Sequence, residues 1–219
     1  MLSQTRQARI ADQQAAARSA YTLAIREKFA AQVPREYRAH GISELFEGTR
    51  DWGGTLSRDD ALALARYLKR PTRFLLLVGP TGTGKSTAAY AISEHLVGTL
   101  EQPGRFVSAT AMLTSFSFGH EGRSAADVLA DYSDAPILVI DDLGSGNDGM
   151  SDHQKRSLWS LIDARWANGR HTIITSNMSI KRTRDGDGLR ELLGESAWDR
   201  VGDSLTLATF DGRSFRGER

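Results

Sequence analysis

Gly79-Pro80-Thr81-Gly82-Thr83-Gly84-Lys85-Ser86 satisfies the pattern G-x-x-x-x-G-K-[ST] in the setting that pattern requires. The apolar run Phe74-Leu75-Leu76-Leu77-Val78 feeds directly into it and reads as a buried strand. Behind it, Ser86-Thr87-Ala88-Ala89-Tyr90-Ala91-Ile92 has helical character with no breaker before Gly98. Glycines remove side chains, so successive backbone N–H groups wrap phosphates while the helix start adds its positive dipole end. Lys85 supplies a point charge and Ser86 a hydroxyl for Mg²⁺. The stretch predicts that residues 79–87, Thr87 included, bind a nucleoside triphosphate.

Bulk properties narrow the class. A chain of 219 residues suits one medium domain plus an extension. With 28 basic and 27 acidic residues it is no polycationic nucleic-acid coat, although a local basic groove is compatible with a net charge of +1. The absence of cysteine excludes disulfides, a thiol nucleophile and a Cys-based zinc site. No apolar span approaches the roughly 20 residues a membrane helix needs. A cytoplasmic protein with no membrane partner is expected.

Residues Ser3 to Gln32 are rich in Ala, Gln and Arg, lack Gly and Pro, and place Tyr21, Ile25 and Phe29 at i, i+4 spacing. They predict a helix ending before Pro34, either a partner-binding arm or a solvated extension. The expected division is a helical extension over 1–33 and a nucleotide domain over 34–219. A connector is expected over Pro34 to Trp52, and Ser57-Arg58-Asp59-Asp60 should cap a helix from Ala61 to Lys69. Further strands are expected at Arg105–Ser108, Ile137–Ile140, Thr172–Thr175 and Leu205–Ala208, with helical patterns between them, notably Ser151 to Ala167. Alternation of this kind predicts an α/β fold with a parallel five-stranded sheet flanked by helices.

Ile137-Leu138-Val139-Ile140-Asp141-Asp142 is a buried-type strand ending in two carboxylates. A cation or polarised water makes that placement tolerable, so Asp141 is expected in the Mg²⁺ shell and Asp142 as general base; the alternative is that both cap the following turn. An aspartate is one methylene shorter than glutamate, which predicts slow basal hydrolysis. Gly144-Ser145-Gly146-Asn147-Asp148-Gly149 spells G-x-G-x-x-G, yet two carboxylates precede it and no acid ends the next strand, so it reads as a loop rather than a dinucleotide site. The strand ending Thr175-Ser176-Asn177 places an amide beside the carboxylates, and Asn177 reads as a nucleotide sensor. Glu195 to Val201 forms a short helix presenting Arg200, which taken alone suits a surface ion pair with Asp199 or Asp203.

In order, Val33-Pro34-Arg35-Glu36-Tyr37-Arg38, Gly79 to Ser86, Leu138-Val139-Ile140-Asp141-Asp142-Leu143-Gly144, Ile173-Ile174-Thr175-Ser176-Asn177, Trp198-Asp199-Arg200 and Gly212-Arg213-Ser214-Phe215-Arg216 resemble the bacterial replicative helicase loaders of the DnaC/DnaI type. These are ATPases of the AAA+ class, and the IstB transposition ATPases are similar. The resemblance implies a P-loop AAA+ fold and an ATP-driven, Mg²⁺-dependent homo-oligomer. It further implies that the chain binds the hexameric replicative helicase and contacts single-stranded DNA. By it Asp141 and Asp142 are the acidic pair, Asn177 the first sensor and Arg200 the arginine finger acting on a neighbouring subunit. Two departures stand out. A zinc-binding amino-terminal domain is impossible without cysteine, and a carboxy-terminal helical lid is not expected after the fifth strand, which leaves Arg216 a weak nucleotide contact.

Within Thr114-Ser115-Phe116-Ser117-Phe118-Gly119-His120, Phe116 and Phe118 are candidates for stacking on DNA bases, the alternative being burial on a helix from Ala109 to Phe118. Trp159, Ile162 and Trp166 are spaced as a core stripe. The histidines are scattered, and Asp185-Gly186-Asp187-Gly188 lacks the other ligands of a calcium loop. A transposase-assisting ATPase and a non-catalytic ATP-switched adaptor remain alternatives to the loader.

Overall fold

The structure, a computed structural model, describes residues 2–39, 41–43, 56–145, 150–181, 188–212 and 214. Part of the expected connector, the end of the G-x-G-x-x-G stretch, Asp185 to Asp187, Arg213, Phe215 and Arg216 lie outside the described residues.

The apolar runs form strands, those of the three central strands buried on both faces and those of the two outer strands only in part. They are β1 (Phe74–Val78), β2 (Gly104–Ser108), β3 (Ile137–Leu143), β4 (His171–Ser176) and β5 (Leu205–Thr209). All pair in parallel, in the order β2-β3-β4-β1-β5. Register follows the two-residue period of strand side chains. Leu75, Leu77, Val139 and Ile173 face one core, whereas Phe74, Leu76, Leu138, Ile140 and Ile174 face the other.

The first core is covered by α1 (Leu2–Ala30), α2 (Arg58–Lys69) and α3 (Lys85–Leu100), the second by α4 (Ala109–Phe118), α5 (Ala125–Asp134), α6 (Asp152–Ala167), α7 (Leu189–Leu193) and α8 (Glu195–Gly202). Caps fix the helix starts. Ser57 accepts from Asp60 N at 3.1 Å, and Ser124 and Ser151 form capping boxes with Asp127 and Gln154. Among the described residues no helix is long and apolar enough to cross a membrane.

The arm α1 buries apolar side chains in the domain only toward its end. Ile25, Phe29 and Val33 are buried in the first core, while residues 6–20 are exposed throughout. Burying a side chain such as Phe29 contributes about 1.5–3 kcal/mol. Arg18 reaches Glu101 at 2.6 Å and Arg26 pairs with Glu94, both on or beside α3. The Gln32 amide then covers the sheet edge, donating to Gly104 O at 3.2 Å and accepting from Phe106 N at 3.3 Å, so it occupies the hydrogen bonds another strand would seek.

The tryptophan stripe on α6 departs from expectation. Ile162 is fully buried, but Trp166 is only partly so and Trp159 is 37% exposed. The reason is polar: the Trp159 Nε1–H donates to Leu192 O at 3.0 Å, which draws the ring to the rim of the core.

Candidate functional site

Because β4 lies between β1 and β3, parallel pairing brings the ends of these three strands to one edge, with Val78 opposite Ser176 and Leu143 opposite Ser176. The loop after β1 begins at Gly79, with φ 142°, where a Cβ would stand 2.1 Å from Phe210 O. Phe210 is fixed there by its N–H donating to Val78 O at 2.8 Å. At Gly82, with φ 87°, a Cβ would stand 2.1 Å from Ser214 Oγ, so the segment after β5 presses on the loop at both glycines. Thr83 is buried and donates to Pro80 O at 2.9 Å, and Lys85 Nζ donates to the same carbonyl at 2.6 Å. No acidic residue occupies the first turn of α3, which leaves its positive end suited to an anion.

Asp141 is buried at 6% exposure beneath this loop. Thr175 Oγ1 donates to its Oδ1 at 2.6 Å. Burial pushes its carboxyl above the ordinary range, the Thr175 hydrogen bond and the nearby Ser86 hydroxyl work against that, Asp142 adds to it and Lys85 opposes it. Among the described residues no group of three or more His, Cys, Asp or Glu is placed to hold a metal. One carboxylate and one hydroxyl fit Mg²⁺, which keeps waters and takes phosphate oxygens as its remaining ligands.

Asp142 faces the other way. The β3–β4 register breaks between Ile140 and Leu143, and Asp142 takes φ 63°, a conformation that Asp tolerates better than most residues. Its exposed carboxylate accepts from Asn177 Nδ2 at 2.7 Å and from Ser145 Oγ at 2.6 Å. Its backbone N–H donates to Thr175 Oγ1 at 2.8 Å. The bulge thus sends two adjacent carboxylates into different surroundings. The structure brings residues 79–87, Asp141, Asp142 and Asn177 to one sheet edge and adds Thr175 and Ser145, which sequence reasoning missed. A clue to Thr175 lay in polar residues closing an otherwise apolar strand.

Arg200 lies elsewhere. It is exposed on α8 and pairs with Asp163 of α6 at 2.5 Å, rather than with Asp199 or Asp203. The chain leaves α8 through Ser204, whose carbonyl accepts from Phe74 N at the start of β1. The start of β5 thus lies beside the start of β1, whereas the loop of residues 79–87 follows the end of that strand.

The aromatic pair splits. Phe116 is 2% exposed and stands edge-on to Tyr132 with centroids 6.0 Å apart, so its expected role as a DNA contact is corrected to core packing. Phe118, two positions on and on the opposite helix face, is 86% exposed.

Residues 59–217 match the family described as IstB-like ATP binding protein. Over 168 residues the chain is 30% identical to Rv3427c, an ATP-binding protein in an insertion sequence of Mycobacterium tuberculosis, covering 74% of this chain and 62% of that relative. The match thus spans less than two thirds of the relative's length. The crystal structure of the DnaC helicase loader superposes with a TM-score of 0.57 at 25% identity, over 74% of this chain and 99% of that one. That of DnaI gives 0.62 at 17% identity, over 81% and 94%. The fold is the AAA+ P-loop fold of these loaders. With most of its length matched from α2 to beyond β5, this chain belongs to the IstB-like ATP-binding family.

Proposed function

We propose that the chain is an ATPase that hydrolyses ATP to ADP and phosphate in order to place a DNA-acting ring or enzyme on DNA. The observation that carries this reading is the convergence of Asp142 and Asn177 beside the loop that ends in Lys85 and Ser86. Residues 79–87 wrap the phosphates and Lys85 leaves Pro80 O for a phosphate oxygen. Ser86 and Asp141 would hold Mg²⁺, which would supply positive charge against the phosphate oxygens. Asp142 accepts a proton from water as the water oxygen attacks the γ-phosphorus and the bond to the ADP oxygen breaks. Asn177 orients that water. Arg200, exposed on α8, serves the site of a neighbour in a homo-oligomer.

The leading partner is a hexameric replicative helicase. The DnaC likeness supports it, the solvated first part of α1 offers an arm to grip the ring, and Phe118 offers an exposed ring on which single-stranded DNA can stack. Residues 34–219 then form the ATPase domain of a cytoplasmic protein. A transposase is the second candidate, favoured by the insertion-sequence relative.

Capture by a replicative helicase and by a transposase, each with and without ATP and single-stranded DNA, tests the reading. ATP turnover is measured in the same mixtures. Helicase capture with stimulated turnover is the expected result; capture of the transposase alone moves the chain to the second reading, and no turnover in any mixture removes the enzyme assignment.

A further inference from the structure

Resting on the ATPase reading, we infer that Ser145 is a positioning residue for the general base, holding one oxygen of Asp142 so that the other faces the attacking water. Ser145 Oγ donates to Asp142 Oδ1 at 2.6 Å, Asn177 Nδ2 donates to the same oxygen at 2.7 Å, and Asn177 Nδ2 also reaches Ser145 Oγ at 3.0 Å. The three side chains close a ring, and both donors converge on Oδ1, which directs Oδ2 outward as the proton acceptor.

The backbone explains why a serine can do this. Ser145 N donates to Asp142 O at 3.4 Å, folding residues 142–145 into a turn that returns the serine onto the carboxylate it follows. Gly144 takes φ 86° within that turn, and a Cβ there would stand 2.1 Å from Met178 Sδ, so the turn lies flush against the residues after Asn177. An exposed carboxylate on a bulge would otherwise sample several rotamers, and misplacement of a catalytic group by about 1 Å can cost 10²-fold in rate. Ser145 removes that freedom through contacts to Asp142 and Asn177. Asn177 alone leaves the carboxylate one donor.

The test compares wild type, Ser145→Ala, Ser145→Thr and Asp142→Asn in the full chain. It reads kcat and KM for ATP, the Kd of a fluorescent non-hydrolysable ATP analogue, and Tm. Ser145→Ala is expected to lower kcat about tenfold with KM, analogue Kd and Tm within about twofold or two degrees of wild type, because it changes orientation and not binding. Ser145→Thr keeps the hydroxyl and restores kcat to within about threefold. Unchanged or raised kcat in Ser145→Ala, a Kd that worsens in step with kcat, or a threonine variant no better than alanine overturns the inference. If Asp142→Asn is inactive while Ser145→Ala is normal, the positioning role alone falls; if Asp142→Asn equals wild type, the base assignment falls and takes the inference with it.

Discussion

Thr175 Oγ1 bridges the two acids: it donates to Asp141 Oδ1 at 2.6 Å and accepts from the backbone N–H of Asp142 at 2.8 Å. One hydroxyl on β4 therefore fixes both the buried carboxylate and the bulge that turns the next one outward. Thr175→Val keeps the shape but leaves the part-buried Asp142 N–H unpaired and the buried Asp141 carboxylate short of a donor, and an unpaired buried group costs about 1–3 kcal/mol. We expect a loss of stability in that range in a urea titration, together with a fall in ATP turnover larger than the fall in ATP binding. Thr175→Ser should recover both, and a valine variant with native turnover would separate Thr175 from the site.

Arg200 and Asp163 are both about half exposed, so their ion pair contributes about 0–1 kcal/mol. Arg200→Ala should leave Tm and ATP binding nearly unchanged while removing about 10³-fold or more of DNA- or partner-stimulated turnover. Mixing it with Asp142→Asn should recover part of the activity, since each subunit then supplies what the other lacks. Loss of ATP binding in Arg200→Ala would count against a role in a neighbour's site.

Much of this site was legible in sequence because its parts sit at strand ends, where apolar runs stop abruptly. The order of Lys85, Asp141, Asp142 and Asn177 was readable in this way. What joins them was not. Thr175 and Ser145 act through strand adjacency and through a bulge, both set by pairing across distant stretches of chain. α5 is a different case, because its Ser124–Asp127 capping box is local and stands in the sequence itself. Phe116 and Phe118 looked equivalent until packing against Tyr132 placed one inside, and Arg200 found Asp163 only because α8 lies on α6.

His171 predicts an acid-sensitive fold. Burial holds its imidazole below the ordinary value of 6.5; its Nδ1 contact with Thr72 O opposes this, and Arg165 and Arg73 reinforce it. Between the lowered folded value and 6.5 the unfolded chain binds a proton that the folded one refuses, so stability rises with pH across that window. It is fully present above 6.5 and lost as pH falls through the folded value. Tm should therefore decline on going from pH 7 to about 5, before most carboxylates titrate. His171→Gln should flatten that slope, and an equally steep slope in the variant would assign the effect to another group.

Arg165 is fully buried and spends its guanidinium on one hydroxyl and several backbone carbonyls around the start of β4, away from the phosphate loop. It donates to Thr172 Oγ1 at 2.8 Å, His171 O at 2.6 Å, Ala135 O at 2.8 Å and Tyr132 O at 2.5 Å. One side chain of α6 thus ties the end of α5 to the start of β4. Burial, and behind it Arg170, pushes its pKa below the usual guanidinium value, but these oxygen acceptors, with Ser133 O at 3.5 Å beside them, keep the charged form in place. Arg165→Met fills similar volume yet strands those carbonyls, and the expected cost is about 3–5 kcal/mol in a urea titration. Arg165→Lys keeps the charge with fewer, less fork-like donors and should fall between methionine and wild type. ATP affinity in the folded fraction should be native in both variants, because the contacts lie around the start of β4, away from Gly79; a methionine variant as stable as wild type would show that the buried guanidinium contributes no net stability.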